Sequence, residues 1–169
     1  NPNTDAKTLK QISTGKKENK FGVNEKIFLD LVNYSKLSKN IDLKCLSVHI
    51  GSQILDHKPY EKMLKMVNKV IKKSNHEFEF IDLGGGMGIS YKKNNKKLNY
   101  QKYNIAIKKF LKNHKSKIIF EPGRSIIGNT GSLISKVIYI KKNDKKNFII
   151  LDAAMNDLMR PALYGANHR

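Results

Sequence analysis

Residues 82–89 read Asp82-Leu83-Gly84-Gly85-Gly86-Met87-Gly88-Ile89 and follow Phe78–Ile81, a short segment that predicts a buried strand. Four glycines in five positions let the backbone turn sharply and approach a ligand closely, because glycine has no side chain. Consecutive inward-facing N–H groups form a concavity that suits an anion such as phosphate. A tight turn without a ligand is the alternative that this stretch leaves open when it is taken alone.

On both sides of this stretch, the pattern of apolar residues alternates between strand and helix over residues 1–121. Apolar residues at helical spacing predict helices over 25–37, 59–73 and 100–111, with Asn24 as the N-cap of the first helix. Short apolar runs predict strands over 43–50, 78–83 and 117–120. The alternation indicates βαβ units around a parallel sheet that is buried on both faces.

The pattern changes after Arg124. Residues 132–140 and 148–151 are predicted strands with no helix between them, and Asn143-Asp144 supplies turn residues for a hairpin. We therefore expect two domains, with residues 1–124 in an α/β domain and residues 125–169 at the beginning of an all-β domain.

The composition is strongly basic but does not indicate a nucleic-acid site. The net charge is +19, from 33 Lys and Arg residues against 14 Asp and Glu residues, and only three of the basic residues are Arg. Nucleic-acid binders concentrate charge on one face and rely on Arg for base contacts. The lysines are scattered, and runs such as that over 92–97 resemble loop tips, so we interpret them as a solvated surface without a specific nucleic-acid partner.

The cysteine content predicts the redox environment of the protein and the absence of a disulfide framework. The single cysteine, Cys45, excludes a disulfide framework and fits a reducing, cytoplasmic environment. Because it lies in an apolar run, we expect Cys45 to be a small buried hydrophobe. We find no membrane-spanning stretch or signal peptide, and the first and last residues suggest a piece of a longer protein.

Polar or glycine-rich groups follow three predicted strands, at His49–Gln53, Asp82–Gly86 and Glu121–Arg124. Ligands of parallel α/β sheets bind at the carboxyl ends of the strands, so neighbouring strands would direct all three groups to one pocket. A glycine-rich nest, a hydroxyl and an arginine suit a phosphate, whereas an imidazole and a carboxylate suit a flat, protonatable heteroaromatic ring. Pyridoxal phosphate carries both features.

Simpler explanations exist for each group when it is considered alone. His49 could be a core histidine, Glu121 and Arg124 could pair with each other, and Gly51-Ser52 could be an ordinary turn. A dinucleotide site fits worse, because no start within the glycine run gives the G-x-G-x-x-G pattern. A metal site formed by His49, Asp82 and Glu121 would lack a second histidine and leave the glycines unexplained, so we assign no metal ligand.

Together these motifs resemble the diaminopimelate decarboxylases, a family of fold type III pyridoxal-phosphate enzymes. The segment that is most specific for this branch is Asp152–Gly165, which reads DAAMNDLMRPALYG. The other matching segments are Thr14-Gly15, Lys20–Gly22, His49–Gln53, Asp82–Gly88, Glu121–Ile126 and Gly128-Asn129. The resemblance implies a partial, alanine-racemase-like (β/α)8 barrel of the TIM type, followed by the start of a β-domain.

The resemblance also implies roles for residues at the strand ends. His49 and Glu121 are the implied catalytic residues: His49 would stack on the cofactor ring and Glu121 would contact the ring nitrogen. The residues implied to bind the cofactor phosphate, or to lie near it, are Ser52, Gly84, Gly85, Gly86, Gly123 and Arg124. Those implied to bind the substrate carboxylate are Arg124, Arg160 and Tyr164.

The implied activity is the decarboxylation of meso-2,6-diaminopimelate to L-lysine and CO2, the last step of lysine biosynthesis, by a homodimer. The Schiff-base lysine of the family lies upstream of Asn1, so we expect the isolated chain to be inactive. Asn167 departs from the family pattern, which often has an aromatic residue there. A decarboxylase of another basic amino acid and a non-catalytic barrel that binds a phosphate ligand are the alternatives.

Overall fold

The computed structural model describes residues 1–6, 14–15, 17–91 and 97–168. The chain divides into two compact units, one formed by Asn1–Ile89 with Lys96–Gly128 and the other by Ser90–Asn95 with Asn129–Arg169. Most of the predicted loop over 92–97 lies outside the described residues, as do residues 7–13 and 16.

The first unit alternates helices and strands, as the sequence predicts. Its three strands form one parallel sheet in the order β1-β2-β3. The elements of this unit are α1 (Glu25–Leu37), β1 (Cys45–Ser47), α2 (Lys58–Ser74), β2 (Phe80–Asp82), α3 (Tyr100–Leu111), β3 (Lys117–Ile119) and α4 (Arg124–Ile127). The predicted α/β class is therefore confirmed, although the strands are shorter than predicted and the one-turn helix α4 was not predicted.

Local signals explain where the helices begin and end. The side chain of Asn24 accepts a hydrogen bond from the amide of Ile27 at 2.9 Å, which confirms it as the N-cap of α1. Pro59 lies in the first turn of α2, where its missing N–H costs nothing. That helix ends at Asn75, which adopts the left-handed conformation common at helix C-termini.

The core of the first unit lies on one face of the sheet. Leu46, Ile81 and Ile118 occupy one row across the three strands, and their side chains pack with the apolar faces of the helices. Fully or nearly fully buried members of this core include Val32, Leu46, Tyr60, Met63, Val67 and Ile81.

The prediction that both faces of the sheet are buried is wrong, and so is the prediction that Cys45 is buried. Successive strand residues point to opposite faces, so burial of Leu46 places Cys45 and Ser47 on the other face. On that face Cys45 and Lys117 are exposed, because no described element of the first unit covers this part of the sheet.

The second unit contains the predicted hairpin. β4 (Val137–Lys142) and β5 (Asn147–Leu151) pair antiparallel, and the amide of Asn143 donates to the carbonyl of Lys146 at 3.3 Å in the connecting turn. The short helix α5 (Arg160–Tyr164), which was not predicted, follows. Every residue of the two strands is exposed within the chain.

None of the helices in the described ranges combines the length and the apolar character that are needed to cross a bilayer.

Replacing Ile81 by Ala should lower the free energy of unfolding by about 2–5 kcal/mol, because Ile81 is 0 % exposed at the centre of the sheet. Urea titration of the two proteins measures this difference. The matched control is Ile105→Ala on the exposed side of α3, which should change stability by less than about 0.5 kcal/mol. Equal losses in both variants would contradict the assignment of the core face.

Candidate active site

The carboxyl ends of the three parallel strands lie side by side and bring the predicted groups of the first unit to one edge of the sheet. Ser47, Asp82 and Ile119 form a row across the strands. The pairing continues beyond this row, since the amide of Glu121 donates to the carbonyl of Gly84 at 2.9 Å. His49 lies two residues after Ser47, so it emerges from the same face of the sheet.

The loop that follows β2 is held by side chains on either side of it. The amide of Gly84 donates to Oδ1 of Asp82 at 2.8 Å, and the amide of Gly85 donates to Nδ1 of His49 at 3.3 Å. Oδ2 of Asp82 in turn accepts from the hydroxyl of Ser47 at 3.2 Å. Because Nδ1 of His49 accepts, the neutral imidazole carries its proton on Nε2. His49 is exposed, so it is not the core histidine considered above.

These contacts reduce the number of backbone amides in the glycine loop that are available to an anion. The amides of Gly84 and Gly85 are both used within the protein, whereas no described residue accepts a hydrogen bond from the amide of Gly86. Gly86 is also the partly exposed member of the three glycines. Among these three glycines, the amide of Gly86 is therefore the one that no described residue occupies.

Close packing of backbone explains why two of these positions must be glycine. A Cβ atom on Gly85 would lie 2.1 Å from the carbonyl oxygen of Glu121, and one on Gly86 would lie 2.0 Å from that of Gly51. Gly86 also has φ +85°, which side-chain-bearing residues rarely adopt. The loop after β2 is thus wedged between the backbones that follow β1 and β3.

Tyr60 supports the loop from the core, a role that the sequence analysis missed. Its hydroxyl donates to the carbonyl of Gly85 at 3.1 Å, and its ring stacks on Tyr103 with a centroid distance of 4.3 Å. Burial raises the pKa of both phenols above the ordinary value. The only sequence signal was a tyrosine, with its polar tip, at a core position of a helix.

Arg124 opens α4 at the same edge, directly after Gly123, which is the N-cap residue of that helix. The guanidinium Nη1 donates to Oε1 of Gln53 at 3.0 Å. Ser52, the predicted phosphate ligand beside Gln53, is partly exposed. The structure therefore brings the candidates of the first unit together: His49, Ser52, Gly84, Gly85, Gly86, Glu121, Gly123 and Arg124.

The other two candidates, Arg160 and Tyr164, lie on α5 in the second unit. Nη1 of Arg160 is 2.8 Å from Nε2 of His168, and its guanidinium lies 4.6 Å from the ring centroid of Tyr91, which belongs to the same unit. A cation–π contact of this kind orients a guanidinium without a counter-ion. Tyr91 and His168 were not identified from the sequence.

A family model matches most of the chain. Residues 1–128 match the family described as pyridoxal-dependent decarboxylase, pyridoxal binding domain.

Curated relatives with the same printed activity match almost the whole chain. The chain is 42 % identical over 172 residues to a diaminopimelate decarboxylase of Aquifex aeolicus, with 99 % of the chain and 41 % of that protein covered. It is 44 % identical over 171 residues to that of Helicobacter pylori, with 99 % of the chain and 42 % of that protein covered. The chain therefore spans less than half the length of these relatives.

Solved structures agree with the fold. The crystal structure of diaminopimelate decarboxylase from Helicobacter pylori complexed with L-lysine superposes with a TM-score of 0.93 at 44 % identity, covering 100 % of this chain and 43 % of that one. A lysine decarboxylase from Selenomonas ruminantium shares the fold with a TM-score of 0.77, 22 % identity and coverage of 96 % of this chain and 42 % of that one.

Gly85→Ala should destabilise the protein by about 1–3 kcal/mol or more, because the new methyl group overlaps the carbonyl of Glu121 and backbone must move. Chemical denaturation followed by circular dichroism measures the loss. Gly131→Ala is the control, since nothing lies within 4 Å of a Cβ at that position. A Gly85 variant as stable as the Gly131 variant would show that the loop is not wedged.

Tyr60→Phe should produce a pH-dependent change in stability. At pH 7 the variant loses one hydrogen bond, which is worth about 1 kcal/mol. Burial raises the pKa of Tyr60 in the folded state, so its contribution is complete below the unfolded pKa near 10 and falls above it. The stability advantage of the wild type over the variant should fall by about 1.4 kcal/mol between pH 9 and pH 11, so that the variant becomes slightly more stable than the wild type at pH 11. Urea titrations of both proteins at each pH measure this, and a constant difference would contradict the assigned burial.

Proposed function

The chain belongs to the pyridoxal-dependent decarboxylases through their pyridoxal-binding domain, and from this premise we propose that it is the central part of a diaminopimelate decarboxylase. The proposed reaction converts meso-2,6-diaminopimelate to L-lysine and CO2. The observation that carries the proposal is that His49, the glycine loop and Glu121 lie at one edge of the sheet, where Gly85 contacts the imidazole of His49 and the backbone of Glu121.

The residues at this edge fit pyridoxal phosphate by their chemistry. The anion donors would be the amide of Gly86 and the hydroxyl of Ser52, with Gly123 and Arg124 nearby at the start of α4. The shape of the loop comes from Gly84 and Gly85, whose amides bind protein groups instead. A flat heteroaromatic ring would lie against the imidazole of His49.

When bound, the cofactor supplies an electron sink for the carbanion that remains after CO2 leaves. The carboxylate of Glu121 would hold a proton at the ring nitrogen, because a negative charge beside that nitrogen favours its protonated form. Arg124 would bind a substrate carboxylate, since the planar guanidinium offers two parallel donors that match it.

In the second unit, Arg160 and Tyr164 are the proposed substrate ligands. Arg160 is already oriented by Tyr91 and His168, which leaves less side-chain entropy to be lost when a carboxylate binds. A diacid with two amino-acid ends needs such directed groups to select the end that reacts.

The proposal extends to the whole protein. Residues 1–124 would form part of a (β/α)8 barrel and residues 125–169 the beginning of the β-domain. The relatives are more than twice as long, so the rest of the barrel, the Schiff-base lysine and the remaining β-domain would come from flanking sequence. We propose a cytoplasmic homodimer.

The complete protein, purified with pyridoxal phosphate, should release CO2 from meso-diaminopimelate and not from L-lysine or L-ornithine. Glu121→Gln should lower kcat about 10–100-fold, because it removes the charge that keeps the ring nitrogen protonated. The matched control is Glu79→Gln immediately before β2, where Oε1 of Glu79 lies 3.8 Å from Nζ of Lys117. That variant should keep kcat within about twofold of the wild type.

Faster CO2 release from L-lysine or L-ornithine would support the alternative of another basic amino-acid decarboxylase. Cofactor binding without CO2 release from any of the three would support a non-catalytic barrel. An unchanged kcat in Glu121→Gln, with the wild type active, would reject the role of this carboxylate while leaving the family assignment intact.

A further inference from the structure

The side-chain amide of Gln53 joins three segments that are distant in the sequence. Its Nε2 donates to the carbonyl of Ile89 at 2.6 Å, and its Oε1 accepts from the amide of Ile89 at 3.3 Å. The same Oε1 accepts from Nη1 of Arg124 at 3.0 Å. The amide therefore links the segment after β1, the end of the glycine-rich stretch and the first residue of α4.

The backbone conformation of Gln53 is unfavourable for a residue with a side chain, and the contacts of that side chain offset this cost. Gln53 has φ +62°, a conformation that glycine adopts freely and glutamine does not. The backbone there is also tightly packed, since a Cβ on Gly88 would lie 2.9 Å from the carbonyl carbon of Gln53. A glycine would suit the backbone better, but it would remove both hydrogen bonds to Ile89 and the one from Arg124.

The chemistry of the amide matters as much as its position. Arginine has a long flexible side chain that loses rotamer freedom when it binds a ligand, and a hydrogen bond that holds it beforehand reduces this loss. The amide oxygen of Gln53 provides such a bond without adding a negative charge. A carboxylate at the same place would compete with an incoming carboxylate for the guanidinium of Arg124.

We propose that Gln53 is a positioning residue that directs the guanidinium of Arg124 toward the carboxylate of the substrate. This inference rests on the proposed function, in which Arg124 binds a substrate carboxylate. It assigns to Gln53 a role in substrate affinity, exerted through Arg124, and none in the chemical step.

The test compares Gln53→Gly and Gln53→Glu with wild type in the complete holoenzyme. Gln53→Gly relieves the left-handed backbone, so folding is retained while the amide is lost. The matched control is Asn75→Gly at the exposed C-terminus of α2, where φ is +45° and the same backbone relief occurs far from this edge of the sheet. Thermal melting verifies that each variant is folded.

Two measurements report on affinity. The first is KM and kcat for meso-diaminopimelate, and the second is the dissociation constant of heptanedioate, the unreactive dicarboxylate skeleton of that substrate, by calorimetry. Gln53→Gly should raise KM and the heptanedioate dissociation constant about tenfold with kcat changed less than about threefold, as expected for loss of one hydrogen bond to a charged group. Gln53→Glu should raise KM and the heptanedioate dissociation constant at least as much. Asn75→Gly should change neither constant.

A double variant tests whether Gln53 acts through Arg124. In an Arg124→Ala background, adding Gln53→Gly should change the heptanedioate dissociation constant less than about twofold, because the group that Gln53 directs is gone. Equal effects of Gln53→Gly with and without Arg124 would overturn the inference, as would a Gln53→Gly protein that matches the Asn75→Gly control.

The inference and the proposed function can fail separately. An active wild type with an unaffected Gln53→Gly variant would overturn only the inference. A holoenzyme that does not bind heptanedioate would remove the carboxylate-binding role of Arg124, and the inference with it. A complete protein that neither binds pyridoxal phosphate nor releases CO2 would overturn both.

Discussion

The packing of backbone against backbone at the ends of the three strands is the constraint on which the site depends. The carbonyls of Glu121 and Gly51 occupy the space where side chains of residues 85 and 86 would begin. Hydrogen bonds from the amide of Glu121 to Gly84 and from the amide of Ile54 to Gly86 join the same segments. Side chains that leave this backbone, including those of His49 and Arg124, therefore start from fixed positions.

Polar groups around the loop make its shape independent of a ligand. Buried polar atoms are costly without partners, and this loop finds partners on three sides: the carboxylate of Asp82, the imidazole of His49 and the hydroxyl of Tyr60. In the proposed function, a phosphate would meet donors that are already arranged, so little conformational entropy would be lost on binding. The same arrangement explains why only part of the glycine run is left to contact an anion.

The sequence predicted the bounds of the first two helices well, but it predicted burial and long-range contacts poorly. The bounds of α1 are as predicted and those of α2 differ by one residue at each end, because helical periodicity and a start signal at Asn24 or Pro59 act within one element. Burial of Cys45 was predicted wrongly, since it depends on what covers the second face of the sheet. The bridge made by Gln53 joins residues 36 and 71 positions away, and no local pattern records such a contact.

The exposure of two candidate residues to water weakens the electrostatic interactions that they can make in this chain. Glu121 and His49 are exposed, and so are Ile119 on the same sheet face and Leu37 at the end of α1. Charges in water interact several-fold more weakly than charges in a covered site, so a carboxylate beside a ring nitrogen acts strongly only where water is excluded. The positions of the groups are set by this chain, whereas the low dielectric constant that the proposed function requires would come from groups that cover this face. Within the described residues, the fold thus positions His49 and Glu121 without removing them from water.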